Sequence, residues 1–158
     1  MFIENFDFNI TMSVYNANKT DLESWTIDVD LGIKMNYDNL PAKSLATVKI
    51  AIDEIAFSHS SVYHIEDIKD KLNIRILLAT KNNIELWWPN GYGKQKLYNL
   101  TVEVDIGDKK LIKTKTFGFR KVELVQEELQ DGLSFYFKIN NIPIFLKGKF
   151  EPKLFKSI

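Results

Sequence analysis

The chain has 158 residues and no cysteine, and its 21 Lys+Arg residues are matched by 21 Asp+Glu. Disulfides and thiolate chemistry are thereby excluded, and no net field draws the chain to nucleic acid or to an anionic membrane surface. The length suits one domain, or one domain with a piece of a neighbour, and no apolar run approaches the roughly 20 residues of a membrane span.

Met1–Phe6 has no basic region followed by an apolar one, so no signal peptide is expected there. Phe6, Phe8, Ile10, Met12 and Val14 then alternate with Asp7, Asn9, Thr11 and Ser13, which predicts a strand with one wet face. After a turn at 16–18, Trp25, Ile27, Val29, Leu31, Ile33 and Met35 face one way and Thr26, Asp28, Asp30, Lys34 and Asn36 the other. A helix would scatter these residues around its circumference, whereas a strand sorts them. Tyr37–Pro41 reads as a turn, and Ala46, Val48, Ile50 and Ile52 mark a third strand.

Ser58–Ser61 is polar, and His59 and His64 are expected on a surface loop, without zinc-ligand spacing. Ile65–Leu72 fits either period and is read as a connection with about one helical turn, leading into a strand at Asn73–Ala79. Lys81-Asn82-Asn83 turns the chain into Ile84–Trp88. Beyond the Trp-Trp-Pro corner, Tyr98, Leu100, Val102, Val104 and Ile106 alternate with polar residues, and Gly107-Asp108 closes a hairpin onto Lys110–Arg120. Glu127–Gly132 is an acidic connector, and Ser134–Ile139 and Pro143–Leu146 flank Asn140-Asn141, a pair that tolerates positive φ. Many short strands separated by polar turns predict an all-β fold, an immunoglobulin-like antiparallel β-sandwich with a C-terminal β-hairpin extension. A closed barrel is the alternative.

Candidate chemistry is sparse. Trp87 and Trp88 read either as a platform for the apolar face of a sugar or, in the favoured reading, as rings filling the end of the sandwich. Pro89, Gly91 and Gly93 then fix a sharp corner. Asp28 and Asp30 share one strand face, which a solvated sheet explains more simply than a cation site. Glu127 and Glu128 are adjacent on extended chain and point apart, unlike a catalytic pair. Arg120, after Phe117 and Phe119, has a planar fork suited to a fixed partner at an interface. Asn9, Asn18 and Asn99 each head an Asn-x-Thr acceptor pattern, relevant only if the chain enters a secretory lumen. No glycine loop for phosphates, no basic stripe and no metal-ligand set is present, so no cofactor or metal is expected.

Three segments together carry a resemblance. Leu86-Trp87-Trp88-Pro89-Asn90-Gly91-Tyr92-Gly93, with Gln95 and Leu97-Tyr98 after it, resembles the second immunoglobulin-like domain of the β-mannosidases, multidomain enzymes of glycoside hydrolase family 2. Phe117-Gly118-Phe119-Arg120-Lys121-Val122-Glu123-Leu124 is similar to the segment by which that family leaves the sandwich. Ser134–Asn141 and Pro143–Gly148 are similar to the hairpin that opens the following (β/α)8 barrel. The similarity extends over Phe6–Gly148 and is densest in motifs from Leu86 onward. After Gly148 the sequence reads Lys149-Phe150-Glu151-Pro152, where the family has a small residue and then Asn-Trp-x-Pro.

The resemblance implies a sandwich over 1–125 and a connector and hairpin over 126–158 that would lead into a barrel absent from this chain. It places neither catalytic glutamate here, and retaining hydrolysis needs two carboxyl groups about 5 Å apart. The implied role is a non-catalytic support for the barrel, with the barrel and an N-terminal sugar-binding-like domain as partners. Lysosomal or other lumenal residence is implied in the same way, as is self-association through an uncovered apolar patch at Phe135–Leu146. The alternative is a stand-alone carbohydrate- or protein-binding module.

Overall fold

The computed structural model describes residues 6–16, 21–35, 44–68, 71–79 and 84–144. The chain divides into two compact units, Met1–Arg120 and Lys121–Ile158. The turns expected at 16–18, 37–41 and 81–83 fall wholly or mostly outside the described residues.

The first unit is an antiparallel β-sandwich. Strands β1 (Phe6–Asn16), β2 (Ser24–Met35) and β5 (Leu72–Ala79) form a three-stranded sheet in the order β1-β2-β5. Strands β3 (Leu45–Ile52), β4 (Phe57–His64), β6 (Tyr98–Ile106) and β7 (Lys109–Phe117) form a four-stranded sheet in the order β4-β3-β6-β7. Register sorts the side chains. Ile27 lies opposite Val14 and Ile76, and Val29 opposite Met12 and Ile74, so these apolar residues share one face. On the other sheet Val48 lies opposite Val104, and Ile50 opposite Val102. Both inner faces join a single buried core that includes Trp25, Leu31, Ile52, Leu100 and Ile106. Burying each such side chain contributes about 1.5–3 kcal/mol relative to leaving it in water.

One sequence expectation changes. Phe57–His64 is a strand rather than a polar loop. Its inward positions, set opposite Ile52, Ile50, Val48 and Ala46, are Phe57, His59, Ser61 and Tyr63, so two polar residues in the middle interrupt the apolar period that betrays a strand. The two pair with each other, His59 Nε2 to Ser61 Oγ at 2.8 Å. The connection at Ile65–Leu72 contains the expected single turn, α1 (Ile65–Ile68), whose Ile65 and Ile68 enter the core.

β7 also carries polar residues on its inward-facing side, at its exposed edge. Lys113 and Lys115 stand opposite the buried Val102 and Leu100, and therefore point inward at the sheet edge. Their ammonium groups donate to the carbonyls of Ile10 and Met12 on β1, at 2.7 and 2.6 Å. These bonds tie the two sheets together along one side and place charge where a further strand would otherwise add. Replacing both lysines by methionine is expected to cost about 1 kcal/mol per bond and to raise aggregation. Urea unfolding and light scattering check both effects.

The outer face of the three-stranded sheet is a polar ladder. Arg75 reaches Asp28 through Nε and Nη2 at 2.8 and 3.1 Å, and the Tyr15 hydroxyl donates to Asp28 at 3.0 Å. Asp30 accepts from Asn73 at 2.9 Å and pairs with Lys71 at 3.3 Å. The Arg75 hydrogen bond holds the Asp28 carboxyl below its ordinary pKa, and the Asn73 bond does the same for Asp30. A carboxyl depressed in the folded state stabilises the fold above its unfolded pKa, and that contribution is lost as pH falls through the folded value. Asp28→Asn should therefore flatten the loss of stability below about pH 4, read as the urea midpoint against pH.

The second unit contains a small sheet in the order β12-β11-β8, built from β8 (Val122–Val125), β11 (Tyr136–Ile139) and β12 (Ile142–Ile144). The sequence reading carried the sandwich through Val125; here β8 takes its hydrogen bonds from β11. Asn140 and Asn141 adopt φ of 51° and 68° in the hairpin turn, as their position between two strands predicts. The acidic connector contains a short hairpin, β9 (Glu128–Leu129) with β10 (Gly132–Leu133). Lys121 is buried and spans to Asn141 Oδ1 at 2.9 Å and Glu123 at 3.3 Å.

Candidate functional site

The Trp-Trp-Pro segment forms a tight loop at one end of the sandwich. Trp87 makes an isolated antiparallel bridge to Gln95, Trp88 N–H donates to the Lys94 carbonyl at 3.0 Å, and Tyr92 N–H donates to the Pro89 carbonyl at 3.0 Å. Gly91 sits at the top with φ of 86°, a conformation that glycine adopts at no steric cost. Pro89, Gly91 and Gly93 thus form the corner expected from the sequence.

Each indole is seated on a glycine. A Cβ on Gly93 would lie 2.8 Å from Trp88 Cδ1, and one on Gly118 would lie 2.7 Å from Trp87 Cβ. Both residues are half-buried, so neither ring is wholly enclosed in the core. The Trp87 ring is also covered by Arg120, whose guanidinium carbon lies 4.6 Å from its centroid. Stacking of this kind is worth about 0.5–1 kcal/mol at an exposed site.

The register of 117–120 follows from Phe119. Its ring is wholly buried and meets Trp25, Tyr98 and Phe117 edge-on at centroid distances of 5.1, 5.0 and 4.8 Å. The Phe119 carbonyl accepts from Trp87 N–H at 2.8 Å. With Phe119 turned into the core, its neighbours Gly118 and Arg120 are both left against Trp87. The Tyr98 hydroxyl closes the same end by accepting from the Glu85 N–H at 2.9 Å. Arg120 itself is exposed and has no carboxylate partner among the described residues.

Local sequence patterns do not show that Gly118 seats Trp87 or that Tyr98 ties down Glu85, since both contacts join separate segments. A glycine between two phenylalanines was the available hint. The remaining candidates scatter. Asp28 and Asp30 are committed to the polar ladder, and among the described residues no group of three or more His, Cys, Asp or Glu could hold a metal ion. Asn9 is exposed on β1. The Asn99 side chain donates to Glu54 at 3.2 Å and accepts from Thr116 at 3.0 Å. Asn18 and Gly148 lie outside the described residues. No helix among the described residues is long and apolar enough to cross a membrane.

The family Glycosyl hydrolases family 2 matches residues 5–120, a span that ends on Arg120. The chain is 32% identical over 151 residues to β-mannosidase of Mus musculus, covering 92% of this chain and 16% of that protein. It is 36% identical over 132 residues to β-mannosidase of Rattus norvegicus, covering 80% of this chain and 14% of that protein. Among solved structures, a β-glucuronidase of Parabacteroides merdae superposes with a TM-score of 0.62 at 16% identity, over 90% of this chain and 16% of the other, a likeness of fold. The chain therefore belongs to family 2 of the glycosyl hydrolases, as a stretch corresponding to 16% of the length of the mouse β-mannosidase.

Proposed function

We propose that the chain is a non-catalytic, barrel-supporting part of a β-mannosidase-like glycoside hydrolase acting on terminal β-linked mannose. It would comprise an immunoglobulin-like sandwich followed by a connector and hairpin. The three- and four-stranded sheets, β1-β2-β5 and β4-β3-β6-β7, support the immunoglobulin-like assignment, because antiparallel strands divided between two such sheets are the frame of that sandwich.

The observation that carries the supporting role is one face of the small β8-β11-β12 sheet. Phe137 lies opposite Leu124 and Ile144, and Ile139 lies opposite Val122 and Ile142, so six apolar side chains share that face. Val122, Leu124 and Ile142 are about half exposed, at 54%, 48% and 48%. A contiguous apolar face of this kind on a short sheet suits a surface that another part of a longer protein covers. The binding-module alternative draws no comparable support, since both indoles are already packed against glycines.

The test is to exchange the matching stretch of the mouse enzyme for this chain and introduce Leu124→Asp with Ile142→Asp. The expected result is loss of most β-mannoside turnover, with the doubly substituted 158-residue chain still folded by circular dichroism. Unchanged turnover in the substituted enzyme would contradict the reading. The isolated chain should also self-associate at high concentration, and the same pair of substitutions should abolish this in sedimentation velocity.

A further inference from the structure

We propose that Arg120 is a docking arginine, held in place by Trp87, whose guanidinium edge binds an aspartate or glutamate side chain in the part of the longer enzyme that this chain does not cover. The inference rests on the supporting role proposed above and names one contact through which it would act.

Four observations converge on it. Gly118 gives Trp87 room to lie against the 118–120 backbone, since a Cβ there would come within 2.7 Å of the Trp87 side chain. Phe119, wholly buried, fixes which way its two neighbours face. The guanidinium carbon lies over the Trp87 ring, 4.6 Å from its centroid, while the residue stays exposed, so the ring holds the cation at the surface without enclosing it. Arg120 is exposed and has no ion pair among the described residues, whereas the other arginine of the sequence, Arg75, uses its fork on Asp28. A pre-positioned planar fork is the geometry that binds a carboxylate through two parallel hydrogen bonds. The mouse relative is far longer than the stretch matched here, which corresponds to 16% of it, so there is further protein from which such a carboxylate could come.

The stack by itself explains a local role, so the test must separate the fork from the stack. Lysine keeps a cation over the ring and loses the fork, while glutamine loses the charge. Arg120→Lys and Arg120→Gln are each made in the 158-residue chain and in the mouse enzyme carrying this chain in exchange. Both substitutions are expected to lower the temperature of half-inactivation of the exchanged enzyme by about 2 °C or more. The isolated chain with Arg120→Lys should melt unchanged. Equal shifts in the two settings, or no shift in the exchanged enzyme, would overturn the proposal and leave the supporting role standing. An exchanged enzyme in which the sandwich melts independently of the rest would remove the supporting role, and this contact with it.

Discussion

Replacing Phe119 by alanine is expected to lower the unfolding free energy of the sandwich by about 3–5 kcal/mol, the usual cost of deleting a buried aromatic ring. The ring is fully excluded from solvent and makes edge contacts to Trp25, Tyr98 and Phe117. Its loss removes transfer free energy and aromatic contacts together, and three stiff neighbouring rings cannot collapse readily into the space. Against a total stability of about 5–15 kcal/mol for a domain, this is a large fraction. Phe119→Leu keeps the site apolar and nearer its volume, and its cost should stay nearer 1.5 kcal/mol. Urea unfolding followed by tryptophan fluorescence measures both. A cost below about 1 kcal/mol for the alanine variant would show that Phe119 does not organise this end of the fold.

Gly118→Ala is the second large effect, and its sign is the informative part. Where alanine fits the native backbone, replacing glycine stabilises by about 0.4–1 kcal/mol through the unfolded chain. Here the added methyl would lie 2.7 Å from Trp87 Cβ and 2.9 Å from its Cγ and Cδ1. These atoms are the root of the side chain, which cannot swing aside without moving the backbone that bonds to Phe119. Such overpacking costs about 1–3 kcal/mol, so the net effect should be destabilising. Near-UV circular dichroism should change with it, as Trp87 leaves its seat under Arg120. A variant as stable as the parent would mean that the indole has another place to go.

The long alternations were legible before any coordinates. From Trp25 to Leu31 every second residue is apolar, and in the sandwich those residues are fully buried. The hairpin at Asn140-Asn141 was equally readable, because few residues tolerate two successive positive φ values. β4 was not, since an edge strand can carry His59 and Ser61 inward and still fold, and the pattern then reads as a loop. Nothing in the sequence of β7 marks Lys113 and Lys115 as the residues that reach across to β1. The motif residues of the candidate site were visible as text, but the seating of Trp87 between Gly118 and Arg120 joins segments some thirty residues apart and has no local period to reveal it.

The most direct test of the central claim is β-mannoside hydrolysis by the purified 158-residue chain, assayed beside the mouse enzyme that carries this chain in place of its own matching stretch. The account predicts no turnover by the chain alone and measurable turnover by the exchanged enzyme. Turnover by the chain alone would contradict it, because a catalytic carboxylate pair would then have to lie within these residues.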